Sequence, residues 1–544
     1  MERLQSSPSA LLLLSLFLSL NLLSSAEITG FVSCLASEGV KNVTLLPQDE
    51  KDAGAYYHLL NFSIQNPRFG APKFAKPVAI VLPRSVEQLS GTILCVRQQL
   101  SWAIRIRSGG HSYEGLSSVA DETPFVIIDL MNLNRVSVDV TSQTAWVEAG
   151  ATLGEVYYAI AESSDSLGFS AGSCPTVGSG GHIGGGGFGL LSRKFGLAAD
   201  NVVDAILVDS EGRVFSREGM GEDVFWAIRG GGGGTWGAVY AWKIKLLPVP
   251  KRVSAFVVSR PGLNDRVAEL VHKWQFVAPK LPDDFYLSSF IGALLPEAQT
   301  IGMSATFKGF YLGPKAKLVS ILKWVFPELA IEEADCTEMS WIESIFFFSN
   351  LKSGSTVDDL KDRVLHDKVY FKAKSDYARD TIPLHVIKSM IEILSKEPKG
   401  YIIMDPYGGF MERVSNDSIP FPHRSGNLYS FQYLVSWNEK DNWRSQKLIE
   451  WLEGFYNYMT SFVSKGPRAA YVNYLDLDLG EMRCRDGKQN SVNVARAWGE
   501  KYFLGNYDRL VRVKTLIDPS NAFCNPQSIP PLTWDGSHSV LYVI

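Results

Sequence analysis

Two glycine-rich stretches, about 60 residues apart, restrict what this chain can fold into more than any other feature. The first is Arg105-Ile-Arg-Ser-Gly-Gly-His111-Ser-Tyr113-Glu-Gly, and the second is Ala171-Gly-Ser-Cys174-Pro-Thr-Val177-Gly-Ser-Gly-Gly-His182. Such runs make poor helix or strand interiors, because glycine loses the most conformational freedom on ordering. They make loops instead, whose bare backbone can lie close against a flat ligand. Each loop presents one nucleophilic side chain, His111 or Cys174. From the residues alone the two could be metal ligands, a catalytic pair or covalent anchors for a cofactor. With His182 they would supply three ligands, but the close spacing of zinc motifs is missing, so no metal site is expected. As a nucleophile pair they lack a recognisable orienting partner.

Two further glycine clusters test a nucleotide fold. Gly184 to Gly189 matches GxGxxG, with Asp204 about 20 residues on, yet no strand run leads into it. Gly232 to Gly237 fits the same pattern and is followed by a strand instead of a helix. A Rossmann fold is therefore not expected. These loops instead suit the approach of backbone N–H groups to a pyrophosphate in nest geometry.

The chain changes character twice. From about residue 78 to 250, short β-rich runs such as Phe125–Asp129, Thr144–Glu148 and Ala205–Asp209 alternate with glycine turns. Leu153, Val156, Tyr157 and Ile160 carry helical spacing between 152 and 162. Pro248-Val-Pro250 marks a boundary. Beyond it, amphipathic helices over 266–276, 382–394 and 443–462 mix with strands at 286–291 and 428–437. The last 70 or so residues return to a polar, glycine-marked style and a helix over 507–517 that stops at Asp518-Pro519. The reading is an α+β chain of two domains, the first split and completed by the C-terminus. At 544 residues, 46% of them hydrophobic, two large cores can be buried.

Charge and targeting narrow the setting. A net charge of -4 and a pI near 6.1 argue against a nucleic-acid footprint, which needs a basic face. Arg3, the apolar run from Ala10 to Leu23 and the small residues before Glu27 predict a signal peptide over 1–26. No later segment replaces it as a membrane span. Sequons at Asn42, Asn61 and Asn416 agree with secretion, to the extracellular space and cell wall or to the vacuole. Six cysteines then meet an oxidising compartment. Cys34 and Cys95, each in a predicted helix, are the expected disulfide. If Cys174 carries a cofactor, five cysteines remain, so at least one is unpaired within the chain.

The sequence resembles the plant berberine bridge enzyme-like family, flavin-linked oxidases of the vanillyl-alcohol oxidase superfamily. The resemblance rests on Arg107-Ser-Gly-Gly-His111, on Cys174 to His182, and on Arg193-Lys-Phe-Gly-Leu-Ala-Ala-Asp-Asn-Val-Val-Asp204. It continues through Gly221 to Gly230, Pro420-Phe-Pro-His-Arg424, Tyr471-Val-Asn-Tyr474 and the terminal Ile517 to Pro531 segment. It implies a two-lobed fold with a PCMH-type FAD-binding domain over 27–249 (core from about 73). A substrate-binding domain over 250–470 follows, an antiparallel sheet covered by helices, and the segment 471–544 completes the FAD domain. It also implies FAD held by two bonds, His111 to the 8α-methyl and Cys174 to C6, which requires a neutral imidazole and a thiolate.

Cofactor contacts carried over with the motifs are Arg107, Ser108, Gly109, Gly110, Ser112, Gly172, Val177, Gly178, Gly180, Gly181, His182, Gly185, Gly237, Val239, Tyr471 and Asn473. Tyr474 is implied as base, provided that a neighbouring cation or hydrogen-bond donor lowers its pKa. Gln432 and Tyr113 fall on the substrate side of the flavin. Ser430 and Phe188 replace polar groups of some relatives, so a monolignol-oxidase mechanism does not carry over intact. Val177, shorter than leucine, leaves room for O2 at the oxygen-gate position. The implied activity is hydride transfer from a carbohydrate or small phenolic or allylic alcohol to flavin, then electrons to O2, giving H2O2, by a monomer. Oxidative cyclisation in specialised metabolism, or a catalytically weak secreted flavoprotein, are the alternatives.

Overall fold

The computed structural model describes residues 25–47, 53–99, 101–120, 124–295, 302–349, 351–352, 354–484 and 490–532. The expected signal peptide lies outside them, apart from its last two residues.

The β-rich first part forms two sheets. Strands β1 (Val43–Leu45), β2 (Ala79–Val81), β3 (Ala103–Arg107) and β4 (Phe125–Asp129) make one, in the order β1-β2-β4-β3. Its β2, β4 and β3 run parallel. Parallel strands are covered on both faces, and all five residues of β4 are buried, as its unbroken apolar run requires. Strands β5 (Val136–Asp139) and β6 (Thr144–Glu148) belong to a second, antiparallel sheet. After β7 (Leu167–Gly168) come its other members, β8 (Val202–Val208), β9 (Val214–Phe215) and β10 (Ala238–Lys245), in the order β5-β6-β10-β8-β9. β11 (Leu247–Pro248) pairs with β7. The helix Leu153–Ser163 starts where the apolar spacing begins, because Thr152 and Glu155 close a capping box.

The later part is one seven-stranded antiparallel sheet. Its strands are β12 (Val253–Pro261), β13 (Phe285–Gly292), β14 (Ser304–Tyr311), β15 (Thr337–Met339), β16 (Tyr370–Ala378), β17 (Gly400–Pro406) and β18 (Tyr429–Trp437), ordered β15-β12-β14-β13-β17-β18-β16. Strand alternation separates its two faces. Leu287, Phe307, Ile402, Met404, Phe431 and Tyr433 pack into one cluster with the helices Asn264–Val277, Leu384–Lys396 and Ser445–Met459. Tyr286, Ser288, Lys308, Asp405, Ser430 and Gln432 take the opposite face. The helix anticipated over 382–394 begins two residues later, since Pro383 occupies its N-cap.

The C-terminal residues return to the first sheets. The helix Tyr507–Ile517 packs against Arg217–Ile228. Buried Lys514 donates to the Thr235 carbonyl at 2.6 Å, and Arg105 Nη1 donates to the Cys524 carbonyl at 2.6 Å. Cys34 and Cys95 are bonded, and a second disulfide, Cys484–Cys524, ties this return in place. Cys174 and Cys336 are the free thiols among the described residues.

Candidate active site

The two glycine loops meet through backbone. A side chain starting at Gly109 would lie 2.3 Å from the Gly178 nitrogen, and one at Gly178 would lie 2.1 Å from Ser108 Oγ. Glycine is therefore required at both positions, and that contact places His111 and Cys174 on one cavity of about 400 Å³. Its walls are Ser108 to Tyr113, Val177 and Gly178, Gly180 to His182, Gly231 to Gly237 and Val472 to Leu475, closed by residues of the segment from Cys524 to Ile529. Gly181 and Gly234 have nothing within 4 Å of where a side chain would begin, so their backbone faces open space. A long, flat group with anionic parts fits such a cradle, whose polar surface is largely main chain.

One hydroxyl joins the two nucleophiles. Thr176 Oγ1 lies 2.9 Å from His111 Nε2 and 3.7 Å from Cys174 Sγ. Burial, with the charge of Lys368 added, lowers the His111 pKa to about 4, so its imidazole is neutral at ordinary pH. Cys174 is open to the cavity but hemmed in by protein, and this desolvation raises its thiol. Hydrogen bonds from Thr176 and Val177 act in the opposite direction. These surroundings favour the thiol over the thiolate that a second linkage requires.

The three residues expected on the substrate side lie together. The Gln432 amide donates to Tyr113 Oη. Tyr113 and Tyr474 stack with centroids 5.4 Å apart and planes 9° from parallel. The surroundings of Tyr474 differ from the expectation. Burial raises its pKa well above 10.0, and Tyr113, Asp405, Tyr471 and Tyr286 raise it further, in place of the cation or donor that was to lower it. Phe188 stacks on Tyr407 at 5.2 Å.

Several carried-over contacts lie elsewhere. Arg107 is spent in a buried ion pair with Asp129 at 2.6 Å and on the Leu60 carbonyl, while Arg105 reaches the cavity wall. Gly172 sits behind His182, donating its N–H to Nε2 at 3.0 Å. Gly185 and Tyr471 also stand outside the wall. Gly184 replaces the former, and the hydroxyl of the latter accepts from Gly187 N–H and from the Asn473 amide. Asn473 does reach the wall and donates to the His182 carbonyl at 3.0 Å. Gly237 and Val239 line the cavity. The closing segment from Cys524 to Ile529 was not legible, because nothing in its composition marks a ligand.

A cavity of this kind, with Gln432 of the seven-stranded sheet bonded to Tyr113 on its wall, suits an FAD-linked oxidoreductase. Residues 77–217 match the family described as FAD binding domain, and 470–530 match the one described as Berberine and berberine like. The chain belongs to the berberine bridge enzyme-like family. It is 55% identical to Berberine bridge enzyme-like D-2 of Nicotiana tabacum, over 94% of this chain and 92% of that one. Reticuline oxidase of Papaver somniferum is 53% identical over 92% of each. The solved structure of berberine bridge enzyme from Eschscholzia californica superposes with a TM-score of 0.89 at 51% identity, covering 93% of this chain and all of that one.

Proposed function

We propose that this protein is a secreted alcohol oxidase whose FAD is linked to both His111 and Cys174. The observation that carries the reading is the shared hydroxyl of Thr176, which sets an imidazole and a thiol on one cavity wall. Neutral His111 has the protonation state that attack on a methyl carbon of the ring requires. FAD when bound supplies the hydride acceptor. The protein supplies a cradle from Ser108–Gly110, Ser112, Gly178, Gly180, Gly181, His182, Gly237, Val239 and Asn473.

Tyr113, Gln432 and Tyr474 orient the substrate hydroxyl, and Phe188, Tyr407 and Tyr286 offer aromatic walls suited to a small phenolic or allylic alcohol; a carbohydrate is the other donor in view. Val177 on the cavity wall leaves room for O2 and hence for H2O2 release. We read 27–249 with 471–544 as the FAD domain and 250–470 as the substrate domain, in a monomer without nucleic-acid or membrane partner. Exposed Asn61 and Asn416 and half-buried Asn42 would carry the glycans.

The 53% identity to a reticuline oxidase favours a second reading, oxidative cyclisation of an alkaloid or prenylated phenolic. Acid-precipitated protein should stay yellow, and deglycosylated intact mass should include FAD; an unmodified mass overturns the linkage. His111→Ala and Cys174→Ala should each leave a single tether, and the double variant should release the flavin. Peroxide release across sugars, cinnamyl alcohol and benzylisoquinolines then separates the two readings. Reoxidation of reduced enzyme taking many minutes in aerated buffer would argue against O2 as acceptor.

A further inference from the structure

Hydride loss from an alcohol needs a base, and the trio above does not contain one. Gln432 has no basic atom, and burial raises both Tyr113 and Tyr474. Other buried carboxylates are already matched with cations. Glu114 and Asp476 contact Lys372, and Asp376 on the opposite sheet face pairs with Arg468. Asp405 differs. It faces Ser430 across the β17–β18 ladder, on the same side as Gln432 two residues along. Ser430 is too short to cover it, and the Asp405 carboxylate accepts from the neutral Tyr286 hydroxyl.

This face of the sheet is not sealed. Asp405, Ser430, Lys308 and Tyr286 keep 7–8% exposure, whereas Ile402, Phe431 and Tyr433 on the helix-covered face have none. Tyr286 also lies 6.4 Å from Phe188, whose N–H is held by Tyr471 beside Tyr474. Asp405 is close enough to Tyr474 for its charge to raise that phenol, which puts it on the side of the stacked tyrosines.

We propose that Asp405, held by Tyr286 and left uncovered by Ser430, is the base of this oxidase. This rests on the alcohol-oxidase reading. The substrate C–H bond breaks with its hydrogen and electron pair passing to the flavin, the O–H bond breaks with its proton passing to the Asp405 carboxylate, and C=O forms. The alcohol is oxidised and the flavin reduced by two electrons. Titratable and charged groups facing Asp405 are Tyr286 of β13, Lys308 of β14, Tyr407 beyond β17 and Tyr474. Burial raises the Asp405 pKa to about 6, with Tyr286 and Lys308 opposing, so a carboxylate is available at neutral pH and is lost on acidification.

The test uses holoenzyme, with infrared titration of its carboxyl bands and anaerobic flavin reduction by cinnamyl alcohol and by a hexose. Asp405→Asn should remove one carboxyl band titrating near pH 6. It should slow reduction about 10²- to 10⁴-fold, the usual worth of a general base, and flatten its rise with pH. Tyr286→Phe, which keeps the carboxylate but removes its donor, should move the inflection to higher pH. If wild type is reduced while Asp405→Asn keeps its rate and pH profile, Asp405 is not the base although the oxidase reading stands. If Asp405→Asn fails to hold flavin, an unmoved inflection in Tyr286→Phe rejects the proposal. If neither alcohol reduces wild type, the oxidase reading fails and takes this role with it.

Discussion

His111 Nε2 and the Thr176 hydroxyl lie 2.9 Å apart, and the same oxygen reaches Cys174 Sγ at 3.7 Å. Because burial raises the Cys174 thiol and the Thr176 bond counters that rise, removing the hydroxyl should make the thiolate scarcer. Thr176→Val keeps the shape of the side chain. It should lower the fraction of protein linked through Cys174 more than the fraction linked through His111, whose imidazole is neutral either way. Peptide mass spectrometry of both loops measures this. Complete linkage at both residues in the variant would show that the hydroxyl has no part.

Lys372 ties three stretches of chain together. Its ammonium contacts Glu114, which follows Tyr113, and Asp476 at 2.9 Å, two residues beyond Tyr474. All three are buried. Lys372→Met would leave buried Glu114 without its ion-pair partner, while Asp476 keeps Lys374 at 2.8 Å; breaking a buried pair in this way costs about 3–5 kcal/mol. Chemical denaturation should show that loss. Flavin absorption should also broaden, because the Tyr113–Tyr474 stack loses the strut behind both of its loops.

Much of this was legible in the chain. The β4 run, the Leu153–Ser163 helix and the Tyr507–Ile517 helix fall where apolar period and capping residues put them. His111, Cys174 and their glycine frames were legible for a different reason, since only close backbone approach explains so many glycines. What stayed hidden depends on pairing across strands. Asp405 reads in sequence as a polar residue before a proline, and only the register with Ser430 brings it to the substrate side. Arg107 shows the opposite case: the motif carried it over as a cofactor contact, but Asp129, directly across β3–β4, takes its charge.

His423 predicts how the fold responds to acid. It stacks on Tyr377 at 4.1 Å, and burial lowers its pKa to about 3. In the unfolded chain a histidine titrates near 6.5. Between those values the unfolded state binds the proton and the folded state does not, so this site costs stability as pH falls from about 6.5 towards 3. His423→Phe preserves the stack without a titrating group. Its melting temperature should fall less steeply with acidification than that of wild type, measured over the same pH series; parallel curves would contradict the account.

The two disulfides should separate stability from flavin binding. Cys484–Cys524 joins residues 40 apart, a cross-link worth about 4 kcal/mol on the chain-entropy model. Cys524 also lines the cavity, and its carbonyl accepts from Arg105 at 2.6 Å, so this bridge holds one wall of the cradle. Cys34–Cys95 joins two helices away from that wall, with a separation of 61. Serine pairs at either bridge should lower the melting temperature by comparable amounts. The 484/524 pair should in addition shift the visible flavin spectrum and speed its loss from a His111→Ala, Cys174→Ala background, while the 34/95 pair leaves both unchanged. Equal effects of the two pairs on the flavin would mean that the C-terminal segment closes the cavity without gripping what lies inside it.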